Sequence, residues 1–365
     1  MLNLNESQTL ILYTIIFLLS ISIGSIYQKK ILKSSKVFSF SNRIAMILVI
    51  FFPVLIASIR YEVGTDFFNY YFYFFTIRNY SIFDILFNEA DPLYGILNKF
   101  ADLFFGDAWG IFFLSSFFTL FITLKALEHY RKVISISFAL LIYYCLFYGL
   151  TLNIVRQMIA VAIVFYCYIY IIEKQPFKYI IGLLIASLFH ISSLFLLPLY
   201  FLKNSTGFKY KQILFLMIIL TSPIYVYLVT IFMLNLEISK FATSYSFDFS
   251  TGGIGFLIWI LPTLIPIFIF KKRALSIEPK YEPLFSIYLL QIPLSYLGYF
   301  SVHASRMAYY SSIVEVVLIP LIIRCLPNRS NKILVAVYFV FWYIFKFIFQ
   351  FFINGGAEIF PYKTQ

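Results

Sequence analysis

Charge is what this 365-residue chain has least of. Only 12% of its residues are charged, against about 25% in a soluble globular domain, and that shortage excludes an ordinary water-soluble fold. Histidine and cysteine are scarce too, with three of each. Cys145, Cys167 and Cys325 stand apart in apolar stretches with no Cys-x-x-Cys pair; they read as buried thiols, not as a redox or zinc site. No Walker loop, Gly-rich nucleotide loop or His-x-x-His-type spacing occurs, so no metal or cofactor is expected, nor ATP or a nucleotide-sugar donor. The first apolar run lacks a basic leader and a small-residue cleavage site, so it is expected to stay as a membrane span. The alternating segments of about 10 residues that build a membrane β-barrel are missing as well.

What fills the chain is hydrocarbon: 62% of residues are hydrophobic, including 46 Phe and 30 Tyr. Runs of about 20 apolar residues recur along nearly the whole length, each long enough to cross a bilayer. The expected fold is all-α: one polytopic membrane domain over 1–365, with the bilayer as its main surroundings. Crossings are expected near 8–27, 43–59, 108–124, 136–150, 153–172, 212–234, 254–270, 283–300, 306–324 and 332–352. The net charge of +12 sits in short loops between these runs, which is a topology signal and not a nucleic-acid surface.

Lys29, Lys30, Lys33, Lys36 and Arg43 follow the first span, which puts the N-terminus outside and the loop 60–107 outside as well. That loop carries seven acidic residues against Arg60, Arg78 and Lys99. It should contain an amphipathic helix near 92–104, opened by Asp91-Pro92 because proline suits the first helical turn, and it is a candidate lid. The segment 178–202 is the difficulty. If it crosses once, fewer than half of the 28 basic residues lie inside. If it enters and returns, most of them do. A re-entrant hairpin over 178–202 is therefore expected, with about ten crossings besides and both termini outside. Each arm would be about 12 residues, or about 18 Å of helix, and its tip would lie near Ser187, His190, Ser192 and Ser193 in a protein-lined or wet cavity.

Ionisable groups in membrane spans mark functional sites by default, and each here also has an ordinary explanation. Arg60 ends the second span, where it could be an interfacial anchor; Glu62 and Asp66 follow it around Gly64, and Thr65 or Asp66 could merely cap the next helix. Asn153, Arg156, Gln157 and Ala160 fall on one helical face by the i, i+3, i+4, i+7 rule, a polar stripe more specific than a lone arginine. His190 sits at the hairpin tip, where a packing role competes with a chemical one. His303, Arg306, Tyr309 and Tyr310 open a later span and resemble a wall for sugar or phosphate. Glu315 in mid-span is expected to pair with Lys346. Arginine is the natural partner of phosphate because its planar fork donates two parallel hydrogen bonds. Arg60, Arg156 and Arg306 near one face of three spans thus fit a lipid-linked pyrophosphate whose polyprenyl tail stays in the bilayer.

In these residues the chain resembles the EpsG family, Wzy-type polymerases of bacterial surface polysaccharides. The matching pieces are Arg60-x-x-x-Gly64-Thr65-Asp66 with Tyr70, Asn153-x-x-Arg156-Gln157-x-x-Ala160, Phe189-His190-x-Ser192, the Arg306 region, and Pro361-Tyr362 after Asn354. Glu89 and Asp91-Pro92 also resemble an acidic-Pro patch in the family's external loop. The resemblance implies a glycosyltransferase of the bacterial inner membrane. It would join polyprenyl-pyrophosphate-linked oligosaccharide units into O-antigen, capsule or exopolysaccharide at the outer face. A separate chain-length-regulating co-polymerase is the expected partner. In that scheme Arg156 and Arg306, supported by Arg60, hold the pyrophosphate, with Asn153, Gln157, Tyr309 and Tyr310 completing the binding wall. Asp66 is the preferred general base ahead of Glu62 and His190.

Two other functions fit the same outline. A membrane O-acyltransferase of surface glycans would need essential groups on the inner side to meet a cytoplasmic donor. A lipid-linked oligosaccharide flippase would be expected to show internal repeats with matching broken helices; none is evident.

Overall fold

The structure is a computed structural model, and it describes residues 2–33, 40–204, 255–296 and 305–364. Seven of its helices are long and apolar enough to cross a membrane, so the chain is an all-α polytopic membrane protein. They are α1 (Glu6–Lys33), α2 (Phe40–Ile59), α6 (Trp109–His129), α7 (Ile136–Asn153), α8 (Val155–Ile172), α13 (Ala308–Cys325) and α14 (Arg329–Ile353). Between α2 and α6 the chain forms three shorter helices, α3 (Phe67–Ile77), α4 (Ile82–Asn88) and α5 (Pro92–Phe105). Helix α9 (Pro176–Ser187) and a 3₁₀ stretch (Ile191–Asn204) follow α8. Helix α10 (Gly255–Ile277), with Pro262 and Pro266 inside it, covers the crossing expected at 254–270, and α11 (Glu282–Leu289) with α12 (Gln291–Tyr296) covers the described part of 283–300. The crossing expected at 212–234 lies outside the described residues.

Apolar composition makes these segments helical, because in hydrocarbon every backbone group must be satisfied within its own segment. Breaks in that rule are repaired by neighbours. Pro53 inside α2 has no N–H for the Val49 carbonyl, and Ser20 of α1 donates to that carbonyl instead. Tyrosine does the same work across the bundle. Tyr148 donates to Pro53 O at 2.7 Å, Tyr168 to Tyr310 O at 2.8 Å and Tyr362 to Ile56 O at 2.8 Å. The largest fully buried side chains are all tyrosines. Each interhelical bond is worth about 0.6 kcal/mol in a membrane, so the abundance of tyrosine is explained largely by tying helices together. Gly149 leaves room for the ring of Phe351, which a Cβ would meet at 2.5 Å.

Contacts sort the bundle into two ends. At one, Gln28 donates to the Arg131 and Ile134 carbonyls at 2.8 and 2.6 Å, His129 faces Glu173 at 3.8 Å, and the Tyr130 and Tyr281 rings lie 5.7 Å apart. Arg273 donates to the Cys325 carbonyl at 2.6 Å, and Arg324 meets Glu278 at 3.7 Å. At the other end the 60–65 segment meets Glu358 and Lys363, and Asp66, Asp91 and Arg306 meet the junction of α7 and α8. Glu173 and Tyr281 thus share an end. The two arms lie side by side: Tyr179 donates to Leu196 O at 2.7 Å. The outward arm of 12 residues is about 18 Å long, short of the roughly 30 Å hydrocarbon layer. Its turn meets the 60–107 segment, where the Leu93 N–H donates to Leu188 O at 3.0 Å.

The amphipathic helix expected at 92–104 is α5, one of the three helices formed by the 60–107 segment. It buries Tyr94, Leu97, Asn98 and Ala101 and ends at Gly106, whose φ of 69° makes a left-handed cap. With Phe67, Tyr70 and Phe74 of α3, Tyr94, Leu97 and Ala101 form an apolar cluster of their own against Phe112, Val155 and Ile159.

Candidate active site

Gly64 sets the backbone of the site. Its φ is +101°, and a Cβ there would stand 2.6 Å from the Leu152 carbonyl oxygen, so only glycine fits. Gly64 N–H donates to Glu358 O at 3.0 Å and Thr65 N–H to Ala357 O at 3.2 Å. The next N–H, of Asp66, donates to Asn153 Oδ1 at 2.8 Å. Asp66 occupies the N-cap position of α3, but its side chain makes no capping bond. Its carboxylate accepts from Asn69 at 3.2 Å and lines a cavity.

The polar stripe after Asn153 is arranged differently from the single helical face expected. Ile154 has φ −90° and ψ 58° and breaks the helix, so Asn153 ends α7 and Arg156 opens α8 in a tight reversal. Three polar side chains that one face would have aligned are instead aimed at three partners. Asn153 holds Asp66, Arg156 Nη1 lies 2.7 Å from Asp91 Oδ2, and Gln157 donates to the Arg306 carbonyl at 3.1 Å.

The resulting cavity, about 100 Å³, is lined by Asp66, Tyr70, Ile154, Arg156, Gln157, His190 and Arg306. It gathers residues from four distant parts of the sequence. The Arg156 guanidinium lies over the rings of Tyr70 and Tyr94 at 5.8 and 5.9 Å, yet its side chain remains 40% exposed. It is therefore anchored on one edge and open to a ligand. His190 Nδ1 is 3.9 Å from Asp91 Oδ1 and has no hydrogen-bond partner among the described residues.

Asp91 is the buried carboxylate beside the cavity that sequence reasoning undervalued, mainly as the residue before a helix-opening proline. It is 7% exposed and holds both Arg156 and the His190 edge in place. Burial of its carboxyl outweighs the opposing pull of Arg156 and, with Glu89 adding in the same direction, pushes it up to about 6. The acidic-Pro resemblance at Glu89 and Asp91 was the available signal.

Other expected site residues stand elsewhere. Arg60 does not line the cavity. It is 3% exposed, donates to Ala57 O at 3.3 Å, and lies over the Phe112 ring at 4.5 Å, with Nε and Nη2 lacking partners among the described residues. Glu62 pairs at the surface with Lys363 at 2.9 Å. Tyr310 is buried and its hydroxyl lies 2.9 Å from that of Ser192, while Tyr309 lines a different cavity. His303 lies outside the described residues. The expected Glu315–Lys346 ion pair is not closed. Glu315 accepts from the Tyr343 hydroxyl at 2.9 Å, and the Lys346 ammonium lies over the Trp342 ring at 5.5 Å. Depth along the two helices matched, but their rotation aims both groups at a common cavity.

The recessed cavity at one end of the helical bundle thus carries two guanidinium groups, a carboxylate and an imidazole. The chain belongs to the EpsG family, whose family model matches residues 43–364. Membership implies a membrane polysaccharide polymerase-type function with glycosyltransferase-like activity. No curated protein and no solved structure matches the chain.

Proposed function

We propose that the protein polymerises polyprenyl-pyrophosphate-linked oligosaccharide units by glycosyl transfer at the outer face of the bacterial inner membrane. The observation that carries this is the meeting of Arg156, Arg306 and Asp66 in one recessed cavity at the end of the bundle opposite the Arg131, Arg273 and Arg324 contacts. By the positive-inside rule that opposite end faces outward.

Arg156 and Arg306 receive the pyrophosphate, and the polyprenyl tail remains in the bilayer. The acceptor hydroxyl oxygen attacks the anomeric carbon of the donor chain. The bond from that carbon to the phosphate oxygen breaks, and the lipid pyrophosphate leaves with its additional negative charge. Two positioned guanidinium groups stabilise that charge as it develops, a contribution typically of about 3–4 kcal/mol per strong donor. Asp66 takes the hydroxyl proton, because its carboxylate lines the cavity and is not spent on capping α3. Asp91 holds Arg156 in position, and the α3–α5 segment acts as the lid. Glu62 and Arg60 support the loop and not the chemistry. A co-polymerase that sets chain length docks separately.

Reconstitution of the purified protein with one lipid-linked repeat unit tests this. The expected product is a ladder of longer lipid-linked chains, with sugar-free polyprenyl pyrophosphate released in proportion. Unextended units appearing across the vesicle membrane would instead establish a flippase, and acylated units an acyltransferase.

A further inference from the structure

Beyond the arginine-lined cavity, the described residues line a larger, open one of about 320 Å³, within the size range of small-molecule pockets. One turn of chain separates the two. Arg306 faces the first, whereas Ser305, Tyr309 and Ser312 line the second. On the far side stand Glu315 and Lys346, 1% and 8% exposed.

Ser312 donates to the Tyr309 carbonyl at 3.4 Å, but two other polar groups of the lining are left over. Among the described residues the Lys346 ammonium makes no ion pair or hydrogen bond, and faces only the Trp342 and Tyr343 rings at 5.5 and 5.9 Å. Gln291, itself buried, has an Oε1 without a partner. Gln350 adds a second amide to the lining. Unsatisfied amides and charges are costly in the membrane interior and mark functional sites.

Chemistry narrows the occupant. One acid and one base leave the chamber without net charge, so an anion gains nothing here over the cavity holding Arg156 and Arg306. A prenyl chain would press hydrocarbon against Glu315 and Lys346, which is costly. A neutral polyhydroxylated ring matches the lining. The two amides and the serine hydroxyls offer donors and acceptors, and Trp259 and Tyr309 offer aromatic faces to the C–H side of a sugar.

We propose that this chamber is a saccharide subsite, holding a sugar ring of the same lipid-linked oligosaccharide whose pyrophosphate occupies the Arg156–Arg306 cavity. The proposal rests on the glycosyl-transfer function above.

Tryptophan gives the test. Of the three tryptophans, Trp259 lines the chamber and Trp342 is the ring partner of Lys346, while Trp109 starts α6. In a Trp109→Phe background, emission therefore reports on the chamber. The probe is the oligosaccharide released by mild acid hydrolysis from the host's own surface polysaccharide, free of lipid and phosphate. Titration into the detergent-purified full chain should change the emission saturably. Gln291→Met and Gln350→Met should each weaken the apparent affinity roughly tenfold, with Arg156→Ala leaving it unchanged. Should the glutamine variants fail to elute as folded protein, Ser295→Phe, which fills the chamber, should abolish the response. No saturable change with the folded protein, or an equal change with sugar-free polyprenyl phosphate, overturns the subsite. A persistent sugar response in a protein whose Arg156→Ala variant still makes long polymer overturns the arginine scheme and leaves the subsite standing.

Discussion

Arg156 and Arg60 are the same residue type on the same end of the bundle, and their surroundings are opposite. Arg156 is 40% exposed, anchored on one edge by Asp91 and open to a cavity. Arg60 is 3% exposed, laid on Phe112 and left with two nitrogens unpartnered among the described residues. An arginine held by a carboxylate at one edge is positioned to bind; one sealed among aromatic rings has nothing left to offer a substrate. The difference separates a cavity-lining arginine from a packed one at the same end of the bundle.

Substitutions test that separation. The largest effect is expected at Asp66, because a general base typically contributes 10²- to 10⁴-fold. Asp66→Asn should lower the rate of chain extension by roughly that range in a reconstituted assay, with unit binding retained. A near-normal rate would remove Asp66 from the chemistry. Arg156→Ala should lower extension about 10²- to 10³-fold, seen in cells as single repeat units on the surface in place of long chains. Long polymer from this strain breaks the comparison at its stronger side.

Asp91 supplies a pH signature. With its carboxyl raised to about 6, flanked by Arg156, His190 and Glu89, the anchor of Arg156 is charged above that pH and lost below it. Extension should fall as pH drops through about 6, and Asp91→Asn should remove that limb while costing roughly tenfold at neutral pH. Stability has the opposite sign. The folded protein keeps the proton longer than an unfolded chain, so stability declines as pH rises from 3.8 to about 6 and is flat above. A thermal-melt series against Asp91→Asn checks it. The smallest effect is expected at Arg60. Arg60→Met keeps the packing and deletes a buried charge with unpartnered nitrogens, so activity should stay within about twofold and stability hold or rise. A large loss of activity in a folded Arg60→Met protein would return Arg60 to the site.

Much of this was legible from residue types alone. Ions are so rare in apolar runs that Arg156, Arg306, His190 and Asp66 stood out, and the lysine distribution pointed to a turn within 178–202, whose two arms do lie side by side. What escaped had no local mark. Ile154 breaks a helix without glycine or proline nearby. Asp91 meets Arg156 across 65 residues, a distance no spacing rule covers. Glu315 and Lys346 matched in depth, but sequence does not give the rotation of one helix against another.

The pinning of Gly64 and Thr65 by Glu358 and Ala357 has a consequence for how the enzyme is made. Gly64 and Thr65 are made early in the order of synthesis, yet the strap that pins them is translated almost 300 residues later. A nascent chain inserted in the membrane can have Asp66 held by Asn153 and still lack the second clamp on the loop that leads into it. The loop before α3 is therefore expected to reach its final shape only when residues near 358 leave the ribosome and thread back beside Gly64.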